Sequence, residues 1–254
     1  MSAEWMWIWT PVCASVLLSL MLAPLGDKVL QRGVVFADIA IAQWAALGVL
    51  AGGRFAWSRE WGGSLAGFSF SGLVFALLAS GIVHLILQRG AAYREAMIGV
   101  LYVVGASLAT ISVSHDPHGA QALAATLNGD LLWSLPSQLY VLAPVALLIV
   151  GWLGFSSEWR QQLFLPLFAL AVTVSVEVAG VYVVFATLIT TPLLLCRIGG
   201  RGIVSAIVIC IAGHIAGLIV AAWGDFPVGA SVVLCNLVVG VVALLLLRRL
   251  QSKG

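Results

Sequence analysis

The feature that most constrains this chain is an uninterrupted apolar run from Leu163 to Cys196, in which Glu177 is the one charged residue. An α-helix needs about 20 apolar residues to cross the hydrocarbon core of a bilayer. At about 1.5 Å per residue the run is far too long for one straight crossing. Either the chain turns back inside the protein near Val178-Ala179-Gly180, or one span continues as a helical extension.

Counting runs of that kind along the chain predicts spans near 7–24, 34–52, 65–88, 96–114, 137–155, 163–179, 180–196, 202–223 and 229–247. Hydrophobic residues make up 62% of the chain and charged residues only 9%, where a soluble domain carries roughly 25% charged. The expected fold is all-α, a polytopic membrane helix bundle of eight or nine transmembrane spans with a broken helix pair near 163–196. Residues 1–254 read as a single integral membrane domain, without linkers or low-complexity tracts. The N-terminus, MSAEWMWIWT, has no basic n-region and no A-x-A pattern, so the first apolar run is expected to be a retained helix. A net charge of +2 gives no argument for nucleic acid.

Lys and Arg concentrate in short cytoplasmic loops. With the N-terminus outside and nine crossings, the inner segments hold Lys28, Arg32, Arg89, Arg94, Arg160, Arg197, Arg201, Arg248, Arg249 and Lys253, and only Arg54 and Arg59 fall outside. This topology puts the loop Ser114 to Ser137, rich in His and Asp, outside. It puts Phe155 to Gln162, FSSEWRQQ, inside.

Polar groups inside the apolar runs are the candidates for chemistry, because ionisable residues in spans are costly and usually face a protein interior or a water-filled path. Asp38 is either such a path residue or a near-surface charge hydrated from the cytoplasm. Gln43, five positions on, lies about 140° around the helix, so the two cannot chelate one ion on a regular helix. Glu177 stands three residues before Gly180; beside a helix break it would attract a cation, and otherwise it is an interhelical hydrogen-bond partner. His214 is a path residue or a histidine satisfied by a neighbouring helix, and His84 reads as structural. His115, Asp116 and His118 offer imidazole and carboxylate ligands for a borderline metal such as zinc, or form a solvated turn. Cys13, Cys196, Cys210 and Cys235 lack metal or disulfide spacing and read as packing residues. No phosphate loop, nucleophile elbow or metalloprotease pair occurs, so no enzyme is expected.

Five segments occur in a telling order: RGVVFADIAIAQWAALGVLAG, EAMIGVLYVVGASLA, SHDPHGAQALAATLNGDLLW, VTVSVEVAGVYVVFATLITTPLLL and DFPVGASVVL. Together they resemble the membrane permease subunit of ABC importers for zinc, manganese and ferrous iron, over about Gln31 to Leu247. The resemblance implies a homodimer of permeases, cytoplasmic ABC ATPase subunits that bind ATP, an external metal-binding protein, and a bacterial inner membrane. Many members of that family carry G-D-A-x-x-H in the second span; here Gln43 replaces the histidine and Asp38 falls one position early, matching a D-x-A-x-A-Q variant. The family's cytoplasmic segment F-D-x-E-x-A-x-x-x-G is represented only by FSSEWRQQLF, which runs almost straight into the next span.

The sequence therefore predicts a permease importing a divalent metal ion, zinc ahead of manganese or ferrous iron, with no cofactor of its own. Asp38, Gln43, Glu177 and His214 are expected to line the path. His115, Asp116 and His118 are expected to receive the metal outside, and Glu158, Trp159 and Arg160 to touch the ATPase. The rival readings are a stand-alone proton- or ion-coupled secondary carrier and a degenerate, non-transporting membrane scaffold.

Overall fold

A computed structural model describes residues 6–32, 36–52, 64–65, 68–88, 93–196 and 203–251. The chain opens with α1 (Met6–Arg32) and α2 (Phe36–Gly52), followed by a two-stranded antiparallel ribbon of β1 (Ser64–Leu65) and β2 (Phe68–Ser69). Then come α3 (Phe70–Gln88), α4 (Arg94–Val113), α5 (Gly119–Asn128), a 3-10 turn at Leu131–Trp133, and α6 (Pro136–Trp152). The chain ends with α7 (Ser157–Cys196), α8 (Ile203–Gly224) and α9 (Val228–Gln251). Of the residues named for topology, Arg54, Arg59, Arg89, Arg197, Arg201 and Lys253 lie outside the described residues, as do the side chains of Cys196 and Arg248.

Among the described residues six helices are long and apolar enough to cross a membrane: Ile8–Arg32, Phe70–Gln88, Arg94–Val113, Glu158–Leu194, Ile203–Gly224 and Val228–Leu247. Two further apolar helices, α2 and α6, have 17 residues each. The first span is longer than its apolar run, because α1 continues through Pro24 to Arg32. A proline inside a helix removes one backbone hydrogen bond. Here the loss is outweighed by burial, since Leu18, Met21, Leu22, Leu25 and Val29 form one buried face at helical spacing. On the last turn Gln31 Nε2 donates to Asp27 Oδ2 at 2.8 Å and Lys28 Nζ donates to Gln31 Oε1 at 2.9 Å.

The long apolar run is one element by hydrogen bonding and two by direction. Gly180 inside α7 has φ 78 and ψ 163, which no helix tolerates. The Cα of Gly26 lies against the Leu188 backbone, and the Arg32 guanidinium lies 3.9 Å from the centre of the Phe164 ring. On a straight helix residues 164 and 188 would be about 36 Å apart, whereas residues 26 and 32 of α1 are separated by about 9 Å. Both halves of α7 therefore run beside α1, and the chain folds back at Gly180.

The fold-back is wedged by the connection after α4. That connection is not the irregular loop expected from its position between spans; its alanine-rich centre forms α5. Ala is the best helix former, and the GAQALAATLN stretch had that signal in it. Gly129, which follows α5, has φ 67, and a side chain on it would strike the backbone of Ala179 and Gly180. A side chain on Gly180 would strike Asn128 and Gly129 in return. Two glycines at positive φ thus let the tip of α5 sit directly on the break.

Candidate functional site

The site is built on α2, which packs on α3, α4 and α7. Small residues make this close approach possible: the Cα of Gly48 lies against the Ser71 carbonyl and the Cα of Gly72. Trp44 anchors the other side by donating its indole N–H to the Leu101 carbonyl at 2.9 Å, with its ring over Gly105.

Within this seam Asp38 is only 1% exposed, on the first turn of α2. Its Oδ1 accepts the backbone N–H of Ile39 at 2.7 Å, while Oδ2 has no partner among the described residues. At 1% exposure Asp38 is not the near-surface, hydrated charge of the alternative reading. Gln43 is also buried, and its Cγ lies close to Gly105 of α4. The two side chains share the helix but not a face, as the 140° offset requires.

Glu177 lies at the far end of the same seam. Its Oε1 and Oε2 both accept the backbone N–H of Ser69, at 2.9 and 3.0 Å, and Oε1 stands over Gly72. The carboxylate therefore closes the N-terminal end of α3, where backbone N–H groups and the positive end of the helix dipole favour an anion. Gly52, at the end of α2, meets Ser69 and Ser71 there. Asp38 and Glu177 are thus separated by most of the length of α2, about 20 Å at 1.5 Å per residue. They mark two ends of one seam and do not form a single chelate.

His214 belongs to a different group. α8, which carries it, packs on α9 and α1. The imidazole is fully buried, with Nε2 at 2.8 Å from Thr187 Oγ1. The Thr187 hydroxyl gives its proton to the Val183 carbonyl at 2.7 Å, so it accepts from His214 and sets the Nε2–H tautomer by hydrogen-bond logic. The Nδ1 lone pair is left without a partner among the described residues, as is the amide of Asn236, which packs against Gly213. Sequence reasoning missed Asn236 and Thr187, although an asparagine in VVLCNLVVG breaks an apolar run as plainly as His214 does. His84 takes a local role, with Nε2 at 2.9 Å from Gln88 Nε2 on the last turn of α3.

His115, Asp116 and His118 occupy the turn between α4 and α5 and are exposed. Asp116 Oδ1 accepts the His118 backbone N–H at 2.9 Å, and His115 Nδ1 lies 3.1 Å from Ser114 Oγ. Among the described residues no three His, Cys, Asp or Glu side chains come together as a metal cage. Nearby, partial burial raises the Asp130 carboxyl above its ordinary value. At the opposite end Glu158, Trp159 and Arg160 form the first turn of α7. Glu158 and Trp159 are exposed, whereas Arg160 faces a pocket with Lys28, Arg32 and Trp152. Cys13, Cys210 and Cys235 are free thiols.

The sequence profile of the ABC 3 transport family matches residues 5–161, more than half of the 254-residue chain. The chain belongs to the ABC 3 transport family. Members of the family are membrane components of transporters and not enzymes. A Chlamydia pneumoniae relative named as a metal transport system membrane protein is 25% identical over 184 residues, which are 63% of this chain and 62% of the relative. The chain thus aligns with less than two thirds of that relative's length. PsaBC from Streptococcus pneumoniae, solved in complex with a Fab, shares the fold across 100% of both chains, with a TM-score of 0.75 at 17% identity. An inward-facing structure assigned to the metal-chelate type of ABC transporter matches 97% of this chain and 78% of its own, with a TM-score of 0.50 at 15% identity.

Proposed function

We propose that this ABC 3 family chain is the permease subunit of an importer that moves a divalent metal ion across a bacterial inner membrane. The observation that carries the reading is Asp38: a carboxylate 1% exposed, with one oxygen unpartnered, inside an apolar helix of a transport-family bundle. Such a group is costly unless a cation or water meets it along a path. The name of the Chlamydia relative supports metal as the cargo. Asp38 and Gln43 would meet the ion in the inner part of the α2 seam, Glu177 would border its outer end, and His214 would offer a nitrogen ligand on a separate helix group. The oxygen donors of α2 suit manganese as well as zinc, while imidazoles at His214, His115 and His118 favour zinc. Asp116 and the two external histidines would meet ions delivered by an external metal-binding protein.

The same reading makes the chain a nine-crossing protein with its N-terminus outside and C-terminus inside, since Lys28, Arg32, Arg94, Arg160 and Arg249 then share the cytoplasmic side. A second copy of the chain and cytoplasmic ATPase subunits complete the transporter. Glu158 and Trp159, exposed on the first turn of α7, supply the ATPase contact together with Arg160.

One observation favours a stand-alone carrier instead: only Leu153 to Ser156 separate α6 from α7, leaving little cytoplasmic chain to engage an ATPase. Metal uptake in cells lacking their main zinc and manganese importers tests both. Uptake that requires an ATPase partner with an intact phosphate loop supports the importer, and competition between metals identifies the cargo. Uptake by the permease alone, abolished by collapsing the proton gradient, overturns it in favour of the carrier.

A further inference from the structure

A second polar site lies away from the α2 seam, where the C-terminal ends of α1 and α6 meet the N-terminal end of α7. Lys28, Arg32, Trp152, Arg160, Gln161 and Phe164 line a pocket of about 290 Å³ there. Trp152 and Phe164 are 2% and 3% exposed and form its apolar wall, with ring centres 6.0 Å apart. Arg32 is held on that wall, its guanidinium 3.9 Å from the Phe164 ring centre.

The hydrogen-bonding groups of the pocket are mostly donors. Lysine, arginine and the indole nitrogen can only donate. The indole N–H of Trp152 is buried and has no acceptor among the described residues. Two glutamines also line the pocket: Gln31 has its Oε1 engaged by Lys28 Nζ at 2.9 Å, while Gln161 brings an amide that can both donate and accept. No carboxylate lines the pocket; Asp27, outside it, accepts from Gln31 at 2.8 Å and stands 4.0 Å from Lys28. Among the described residues neither Arg32 nor Arg160 has an ion-pair partner.

Helix dipoles account for part of this charge and not for the rest. A cation is favoured at a helix C-terminus, so Lys28 and Arg32 suit the end of α1. Arg160 stands on the first turn of α7, at a positive helix end where a cation is disfavoured. An anion seated between the three would reverse that penalty.

We propose that this pocket binds a phosphate-bearing anion, the guanidinium groups of Arg32 and Arg160 and the Lys28 ammonium closing on the phosphate oxygens. The volume suits one headgroup-sized group rather than the end of a partner helix. The site stands where apolar helices end, beside a tryptophan, which is the level of lipid phosphates in a bilayer. The phosphodiester of an anionic phospholipid and free phosphate share the required chemistry. Arginine matches it by paired N–H donation.

Native mass spectrometry of the full-length protein, extracted in mild detergent and offered phosphatidylglycerol, phosphatidylcholine or inorganic phosphate, tests the assignment. Wild type is expected to retain one phosphatidylglycerol per chain in preference to phosphatidylcholine. Each of Arg32→Gln and Arg160→Gln is expected to weaken retention about fivefold. Arg249→Gln, on α9, serves as the control and leaves retention unchanged. Protection by inorganic phosphate alone, lost in the same variants, keeps the anion site and assigns free phosphate as its source. Equal retention of both lipids, or retention in Arg32→Gln and Arg160→Gln equal to wild type, overturns the proposal. None of these readouts requires transport, so they stand or fall separately from the importer reading.

Discussion

Glu177 of α7 receives the backbone N–H of Ser69 on both carboxylate oxygens, at 2.9 and 3.0 Å, and so fastens the fold-back of α7 to the start of α3. An acid expected to face passing ions has an anchoring duty besides. Removing a hydrogen-bond partner from a part-buried donor costs about 1–3 kcal/mol. Glu177→Ala is therefore expected to lower thermal stability in detergent by that amount. Glu177→Gln retains an acceptor for Ser69 and is expected to lose less. If both variants unfold like wild type, the anchor carries no energy.

Gly180 has φ 78 and its Cα lies against Asn128 and Gly129. An alanine there meets two penalties, a left-handed backbone and a collision with a neighbouring main chain. Gly180→Ala is expected to reduce folded yield severely, with a loss of at least about 1–2 kcal/mol from the backbone alone. Gly151→Ala, at an exposed helical position with nothing within 4 Å, is the matched control and should be neutral or slightly stabilising. Equal yields of the two variants would show that the fold-back is not built around Gly180.

These two sites show where sequence reasoning reaches and where it stops. The break near Gly180 was legible because a run from Leu163 to Cys196 cannot cross once and has one glycine beside its one charge. The burial of Gln43 was legible for the same reason, since polar groups in apolar helices need an interior, whereas Asp38 read equally as a hydrated charge near the helix end. The partner of Glu177 was not legible: Ser69 is 108 positions away, and nothing local in VSVEVAGV records a contact made by folding. Nor was the reach of α1 to Arg32, because Pro24 and Asp27 read locally as a helix end, while the buried face through Val29 is a tertiary effect. The pocket under Arg160 was hidden likewise, since its residues come from three helices.

Thr187 and His214 form a buried pair at 2.8 Å, 27 positions apart. A double-mutant cycle with Thr187→Val and His214→Ala, read by thermal or chemical unfolding, isolates their interaction from the separate costs of each change. A coupling of about 0.5–1.5 kcal/mol is expected for a neutral hydrogen bond. Additive effects within about 0.3–0.5 kcal/mol would remove the pair from the account of what joins α7 to α8.

Asp38 gives the most direct test of the proposed path. Asp38→Asn keeps the shape of the side chain and an acceptor for the Ile39 N–H, but removes the charge. Replacing a buried, unpaired charge by a neutral group of equal size does not cost stability and often increases it. The variant is therefore expected to fold, insert and purify at least as well as wild type. Its metal uptake, in cells that co-express a candidate ATPase and metal-binding protein, is expected to fall by about tenfold or more, since a charge-assisted contact contributes about 1.5–3 kcal/mol. Gln43→Ala tests the next position along the helix, whose side chain projects from a different face, and is expected to reduce uptake less. Normal uptake in Asp38→Asn, with expression matched to wild type, would take the carboxylate off the path. The unpartnered Oδ2 would then need another occupant, such as a buried water.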